Sequence, residues 1–187
     1  MLEQGELFAA PPIVPGLRLV PEAVTRGRER DLEERIDAAP LAPFQFGQWE
    51  GKRLTTHYGS GYDFSSHHLA QAPPLPGWLI ALRDALAPQV DADPAAFEAA
   101  LLIRYDPGAG IGWHRDRPQY DKVLGLSLSA ACVLRLRRRI GAGFERRHVE
   151  LPPRSLYLLA GEVRREWEHS IVPTAVTRRS ITLRTLR

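Results

Sequence analysis

Two segments in the first half of the chain repeat apolar residues with the period of an α-helix. In EAVTRGRERDLEERIDAAP (22–40), Leu32 and Ile36 lie four positions apart, and Pro40 ends the pattern. A second apolar segment follows a proline-rich stretch and covers residues 77–87. Both segments are therefore predicted to be helical.

From residue 97 the pattern becomes that of β-strands. Short runs such as FEAALLIRY, VLGLSLSA and RRSITLR are separated by Gly and Pro turns. The earlier segment 44–64 also alternates and is interrupted by glycines, which predicts short strands and a turn. The spacing favours an antiparallel sandwich or barrel behind an N-terminal α/β cap.

Composition narrows the classes of protein that need considering. A chain of 187 residues suits one domain with a single core, and we expect a monomer. The lone cysteine, Cys132, excludes an intrachain disulfide and a cysteine-based zinc cluster, and it fits a reducing, cytoplasmic location. No signal peptide or membrane-spanning run is apparent. The net charge of +3 permits a polyanionic partner without requiring one.

The segment GWHRDR places His114 and Asp116 two positions apart, so a strand would direct both side chains to one side. A third ligand is available in His169, within EWEHSIVP. Two histidines and one carboxylate leave metal positions open, which suits Fe(II) and oxygen chemistry. Zinc is the rival metal, and a set of surface polar residues is the alternative without a metal.

The segment RRSITLR near the end of the chain alternates cationic or hydroxyl side chains with apolar ones. As a strand it would carry Arg178, Ser180, Thr182 and Arg184 on one face. Burial of two arginines requires an anion, and a dicarboxylate would satisfy them through charge-assisted bonds. The alternative is an exposed basic edge strand.

Together, RYDPGAGIGWHRD, LGLSLSA, LPPRSLYLLAGEVRREWEHSI and RRSITLR resemble the AlkB family of Fe(II)- and 2-oxoglutarate-dependent dioxygenases. The resemblance covers roughly residues 50–187, and GKRLTTHYGSGYDF resembles that family's nucleotide-recognition region. It implies an α+β protein with a mainly β core. The core would be a double-stranded β-helix, a cupin-like jelly roll, with N-terminal helices packed on the sheet. Within one domain over 1–187, it implies an N-terminal extension and helix (1–50), a substrate-recognition cap (51–96) and a catalytic jelly roll (97–187).

The resemblance also implies the cofactor and the cosubstrates. Fe(II) would be held by His114, Asp116 and His169, while 2-oxoglutarate and O2 would be consumed. The family oxidises 2-oxoglutarate to succinate and CO2 and hydroxylates an N-linked methyl group, which leaves as formaldehyde. The residues implied to bind 2-oxoglutarate are Tyr105, Arg178, Ser180 and Arg184.

Two positions depart from the family's DNA-repair members. The Asn found two residues before the motif tyrosine is replaced by Ile103, which removes a polar contact to the cosubstrate. An acidic residue that helps to recognise the base is replaced by Pro118. These departures leave substrate identity open.

A nucleic-acid substrate is supported by a basic segment, CVLRLRRRIGAGFERRH, which is predicted to form a β-hairpin that binds phosphates. The alternative is a solvated hairpin whose charges pair with Glu145 and Glu150. Aromatic side chains could stack on a flipped base, although aromatic residues near strands are more often part of a core. The candidate substrate-binding residues are Arg53, His57, Tyr58, Tyr62, Trp113 and Arg164.

We therefore hypothesise oxidative dealkylation of N-alkylated bases in single-stranded DNA or RNA, that is, repair of alkylation damage. Open alternatives are the same chemistry on a protein or tRNA, and a non-catalytic nucleic-acid-binding jelly roll. The N-terminal QGELF, from Gln4 to Phe8, resembles the short motif with which bacterial proteins bind the replication sliding clamp. Its alternative is a tail that packs Leu7 and Phe8 on the core.

Overall fold

The computed structural model describes residues 13–46, 48–63 and 68–187, so the clamp-like segment Gln4–Phe8 lies outside the described residues. The helices are Arg26–Asp37 (α1), Gly77–Leu86 (α2) and Gly161–Arg165 (α3), with 3-10 turns at Ala87–Val90 and Pro94–Ala96. The strands are Leu17–Val20 (β1), Ala42–Phe46 (β2), Trp49–Tyr58 (β3), Ser60–Asp63 (β4), His68–Gln71 (β5), Phe97–Tyr105 (β6), Ile111–His114 (β7), Tyr120–Leu128 (β8), Cys132–Ile140 (β9), Gly143–Leu151 (β10), Leu156–Leu159 (β11), Glu168–Ile171 (β12) and Arg178–Leu186 (β13).

These strands form two principal antiparallel sheets. The major sheet has the order β1-β11-β8-β13-β6-β3-β2, and the minor sheet has the order β10-β9-β12-β7. Strands β4 and β5 form a separate two-stranded sheet. This double-stranded β-helix confirms the predicted jelly roll, and both N-terminal helices occur where the apolar spacing predicted them.

Alternation along the strands gives the major sheet one apolar face. Leu102 of β6 and Ile181 of β13 lie opposite each other on that face, and both are buried. Helices α1 and α2 cover it with their own apolar sides, which include Leu32 and Leu79. The range 51–96, expected to form a cap, contributes β3 to this sheet and α2 to its core.

The opposite face of the major sheet turns toward the minor sheet. A second apolar cluster joins Val123 and Leu159 of the major sheet to Leu134 and Leu136 of the minor sheet. Trp167 closes the same cluster beyond α3, and its Nε1 donates a hydrogen bond to Glu162. The two sheets therefore hold a cavity between them. No helix in the described ranges is long and apolar enough to cross a membrane.

Candidate active site

The ends of two neighbouring strands bring three ligand-type side chains together. His114 is the last residue of β7, and it lies directly opposite His169 of β12. Asp116 follows β7 after one residue. One ligand atom from each of the three residues lies within 4.8 Å of the others, so this group has the dimensions to hold a metal ion.

The protonation states of this triad also suit metal binding. Burial lowers the pKa of His169 to about 3, and the neighbouring His114 acts in the same direction. Burial also lowers the pKa of His114, while its Nδ1 lies 2.9 Å from the carbonyl oxygen of Gly112. Nδ1 therefore donates that bond, which orients the ring and leaves Nε2 available as a ligand.

Asp116 remains ionised although it is surrounded by protein. Burial acts to raise the pKa of its carboxyl, but Arg184, both histidines and Arg164 hold it well below its usual range. Arg184 Nη2 donates to Asp116 Oδ1 at 3.4 Å. Neutral imidazoles and a carboxylate are the forms that bind Fe(II), so no ligand must lose a proton first.

A cavity of about 1060 Å³ surrounds the triad. Its floor is the inward face of β13. The alternation predicted from RRSITLR is present, because Ile181 and Leu183 point to the other side of the strand and pack in the main core. The members of β13 that line the cavity are Arg178, Ser180, Thr182 and Arg184.

The surroundings of Arg178 are those of a side chain that binds an anion. Its side chain has 0% of its surface exposed, and its Nη2 donates to Ser127 Oγ at 3.0 Å. Its Nε and Nη1 are buried and have no hydrogen-bond partner among the described residues. A buried guanidinium with two unpaired donors calls for a charged acceptor, and one carboxylate of 2-oxoglutarate fits that requirement. Its Cζ also lies 5.2 Å from the centre of the Tyr105 ring.

The residues expected to bind substrate fall into different surroundings. Arg53 and His57 of β3 line the cavity, and the Arg53 guanidinium stacks 3.8 Å from the centre of the Phe44 ring. Trp113 also lines the cavity. Tyr58 instead packs against the main core, because it follows His57 and faces the other side of the sheet. The side chain of Tyr62 lies outside the described part of the structure.

Arg164 lines the cavity but is engaged with the backbone. Its Nη2 donates to the carbonyl oxygens of Arg117 and Tyr120, both at 2.6 Å. Those carbonyls lie in the segment that follows Asp116. The arrangement therefore connects α3 to the segment carrying the acidic ligand.

Phe44 and Tyr157 line the cavity, and neither was identified from the sequence. Phe44 comes from β2, and Tyr157 comes from β11, where it lies opposite Gly125 of β8. Tyr157 carried a weak signal, since it is a tyrosine within an apolar strand. Its position in the cavity depends on the pairing of β11 with β8, which local periodicity does not specify.

Comparison with known proteins agrees with this geometry. Residues 41–185 match the model of the 2OG-Fe(II) oxygenase superfamily. The chain is 31% identical over 172 residues to the Xenopus tropicalis protein named tRNA (carboxymethyluridine(34)-5-O)-methyltransferase alkbh8, covering 88% of this chain and 26% of the relative. It is 29% identical over 184 residues to the Arabidopsis thaliana "Alkylated DNA repair protein ALKBH8 homolog", covering 84% and 51%. The chain thus spans about a quarter to a half of these relatives.

Solved structures share the fold. OsALKBH1 superimposes with a TM-score of 0.69 at 15% identity, covering 92% of this chain and 97% of that one. A Pseudomonas putida prolyl-4-hydroxylase superimposes with a TM-score of 0.61 at 18% identity, covering 92% of each. The jelly roll and its open triad define a metal-dependent oxygenase. The chain belongs to the 2OG-Fe(II) oxygenase superfamily, whose members use Fe(II), 2-oxoglutarate and O2, and its named relatives are AlkB-like proteins.

Substitution of one triad member is predicted to remove the metal site. His114→Ala should weaken Mn(II) binding, measured by titration calorimetry without cosubstrate, by at least about tenfold to a hundredfold. His148→Ala provides the matched control, because His148 is an exposed histidine of β10. Mn(II) binding that survives His114→Ala unchanged, or that is lost equally in the control, would contradict the site.

Proposed function

We propose that this protein removes alkyl groups oxidatively from nitrogen atoms of nucleic-acid bases in single-stranded DNA or RNA. The observation that carries the proposal is one cavity that joins an open metal triad to a buried, unpaired guanidinium. The relatives named above act, by their names, on tRNA or on alkylated DNA. A second support is the charge distribution of the β9–β10 hairpin.

In this proposal His114, Asp116 and His169 hold Fe(II), and Arg178 binds the far carboxylate of 2-oxoglutarate with Ser180 and Tyr105 beside it. When bound, iron and 2-oxoglutarate supply the oxidising power that converts an N-methyl group to an unstable N-hydroxymethyl group. Arg184 keeps Asp116 ionised and lies near the opposite end of the cosubstrate. The apolar walls exclude water from the reacting groups.

The substrate base would enter between β3 and the end of β7. Arg53 and Phe44 lie on the β3 side, and Trp113 lies at the rim of the cavity, with its ring on the outer face of the minor sheet. Burial lowers the pKa of His57 to about 4, and Arg184 and Arg53 act in the same direction. His57 is therefore neutral at physiological pH and presents a flat, uncharged ring to the cavity.

The hairpin separates its arginines by face. On the face that carries the buried Leu136, Arg138 and Arg147 both form ion pairs with Glu145. Here the expected pairing with Glu145 is present, whereas Glu150 forms no ion pair within the described ranges, and Glu162 and Glu166 are the further partners of Arg138.

The opposite face carries four arginines, three of which lack a carboxylate partner within the described ranges. Arg137 is paired with Glu168 at 2.6 Å, but Arg135, Arg139 and Arg146 form no ion pair within the described ranges. Arg135 and Arg137 stack on Trp113, with distances from Cζ to the ring centre of 4.9 and 4.4 Å. This cationic face is on the side of the minor sheet opposite Leu136, and it reaches the rim of the cavity at Trp113 and Glu168, from where it can bind the phosphates that flank the target base.

A tRNA base is the second candidate substrate. The X. tropicalis relative is named for a tRNA modification, and Pro118 replaces the acid with which DNA-repair members read their base. The same iron chemistry and the same cationic face would serve this substrate. A protein substrate lacks a comparable supporting observation.

Turnover should depend on an alkylated strand. With Fe(II), ascorbate, O2 and 2-oxoglutarate, single-stranded oligonucleotides that contain 1-methyladenine or 3-methylcytosine should release formaldehyde together with succinate. Unmethylated strands of the same sequence are the control. Release from methylated tRNA alone would select the tRNA alternative, and succinate that forms at one rate with every strand would contradict a nucleic-acid substrate.

Two adjacent arginines test the cationic face. Arg146→Gln removes an unpaired charge and should weaken binding of a single-stranded oligonucleotide. The negative slope of log affinity against log salt should become shallower by about 0.7. Arg147→Gln removes a charge that is already paired on the opposite face, so its slope should stay close to that of the unmodified chain. Fluorescence anisotropy across a salt series measures both. Equal effects of the two substitutions would contradict phosphate binding by this face.

A further inference from the structure

Gly125 and Tyr157 form a complementary pair in the cavity floor. They lie directly opposite each other on β8 and β11. A Cβ built on Gly125 would lie 2.1 Å from Tyr157 Cζ and 2.4 Å from its hydroxyl oxygen. No side chain can occupy this position while Tyr157 keeps its place. The absent side chain at 125 therefore allows the phenol to lie across β8.

The phenol points along a row that crosses the sheet. Gly125 is flanked on its other side by Thr182 of β13, so the Tyr157 ring lies on the strand neighbouring the cosubstrate strand. Thr182 Oγ1 is buried and has no hydrogen-bond partner in the described ranges. Both residues line the cavity with the triad and Arg178. Two hydroxyl groups thus converge on the same part of the floor.

The Tyr157 hydroxyl has the properties of a donor held for a ligand. Tyr157 is 7% exposed, and it lines the cavity together with Thr182 and Arg178. Burial raises the pKa of this phenol, so it keeps its proton at neutral pH, and the nearby Arg178 is the largest influence in the opposite direction. A protonated phenol at the wall of a cavity can donate a charge-assisted hydrogen bond to a carboxylate that binds there.

We propose that Tyr157 is a further cosubstrate-binding residue, whose hydroxyl donates a hydrogen bond to the same 2-oxoglutarate carboxylate as Arg178 and whose position requires glycine at 125. Ile103 of β6 lines the cavity with an apolar side chain, so this position supplies no hydrogen-bond donor to the carboxylate. Tyr157 would supply a donor from β11, on the other side of Arg178. The inference rests on the use of 2-oxoglutarate and is independent of the substrate that is oxidised.

Tyr157→Phe removes the hydroxyl and keeps the ring that packs in the cluster between the sheets. The Mn(II)-loaded full chain should bind 2-oxoglutarate about tenfold to a hundredfold more weakly than the unmodified chain, as expected for loss of a hydrogen bond to a charged group. Calorimetry without nucleic acid measures this affinity directly. Mn(II) affinity should not change, because Tyr157 is not a triad member.

The far carboxylate is tested with a second ligand. 2-Oxobutyrate keeps the keto acid and lacks that carboxylate, so Tyr157→Phe should leave its affinity unchanged. Thr185→Val is the matched control, since it removes a buried hydroxyl from β13 that accepts from the Lys122 backbone, outside the cavity. An unchanged 2-oxoglutarate affinity in Tyr157→Phe would overturn the proposal. So would an equal loss for both ligands.

Gly125→Ala tests the pairing independently. The added methyl group should displace the phenol and weaken 2-oxoglutarate binding, with little further loss when it is combined with Tyr157→Phe. Additive losses would overturn the pairing. If the unmodified chain binds 2-oxoglutarate but does not demethylate any strand, the proposed function fails while this inference stands.

Discussion

A guanidinium with no exposed surface sets the organisation of this protein. Arg178 begins β13 in the middle of the major sheet, and it satisfies only part of its hydrogen-bonding capacity through Ser127. A buried cation of this kind opposes folding unless an anion completes it. The side chains around it are accordingly arranged for a ligand, with Tyr105 against its face and Tyr157 nearby. We expect the free energy of unfolding to be smaller than it would be with an apolar residue at this position, as is common where a site is kept for a ligand.

The alternation of strands connects this cation to the metal site. Along β13 the inward positions run from Arg178 to Arg184, which bonds Asp116 of the triad. The intervening outward positions, Ile181 and Leu183, anchor the sheet on the helices. One strand therefore fixes the separation between the anion receptor and the metal ligands. The minor sheet supplies the two histidines opposite each other, which places the iron site at the open edge of the jelly roll.

Local patterns in the sequence were sufficient for those parts of the site that depend on neighbouring residues. His114 and Asp116 lie two apart at a strand end, and the face of β13 follows from its alternation alone. The helices followed from the spacing of residues such as Leu32 and Ile36. His169 could be named as a candidate third ligand from its segment, but its position opposite His114 depends on the pairing of β12 with β7, which joins segments far apart in the chain.

Other features depend on pairings that no local pattern encodes. His57 and Tyr58 are neighbours on β3, but His57 lines the cavity and Tyr58 packs on the core. The sequence did not show which face of β3 would line the cavity. The hairpin charges could not be sorted until β9 and β10 were aligned, since Arg146 and Arg147 face opposite sides. The contact of Tyr157 with Gly125 similarly depends on the register of β11 against β8.

The most direct test of the central claim is the stability of Arg178→Met, followed by urea unfolding with and without 2-oxoglutarate in the Mn(II)-loaded chain. If Arg178 is held for an anion, the ligand-free variant should be at least as stable as the unmodified chain, because methionine fills the space without a buried charge. Added 2-oxoglutarate should stabilise the unmodified chain and leave the variant unchanged. A variant that is destabilised by about 3 kcal/mol or more, yet is still stabilised by 2-oxoglutarate, would contradict the account.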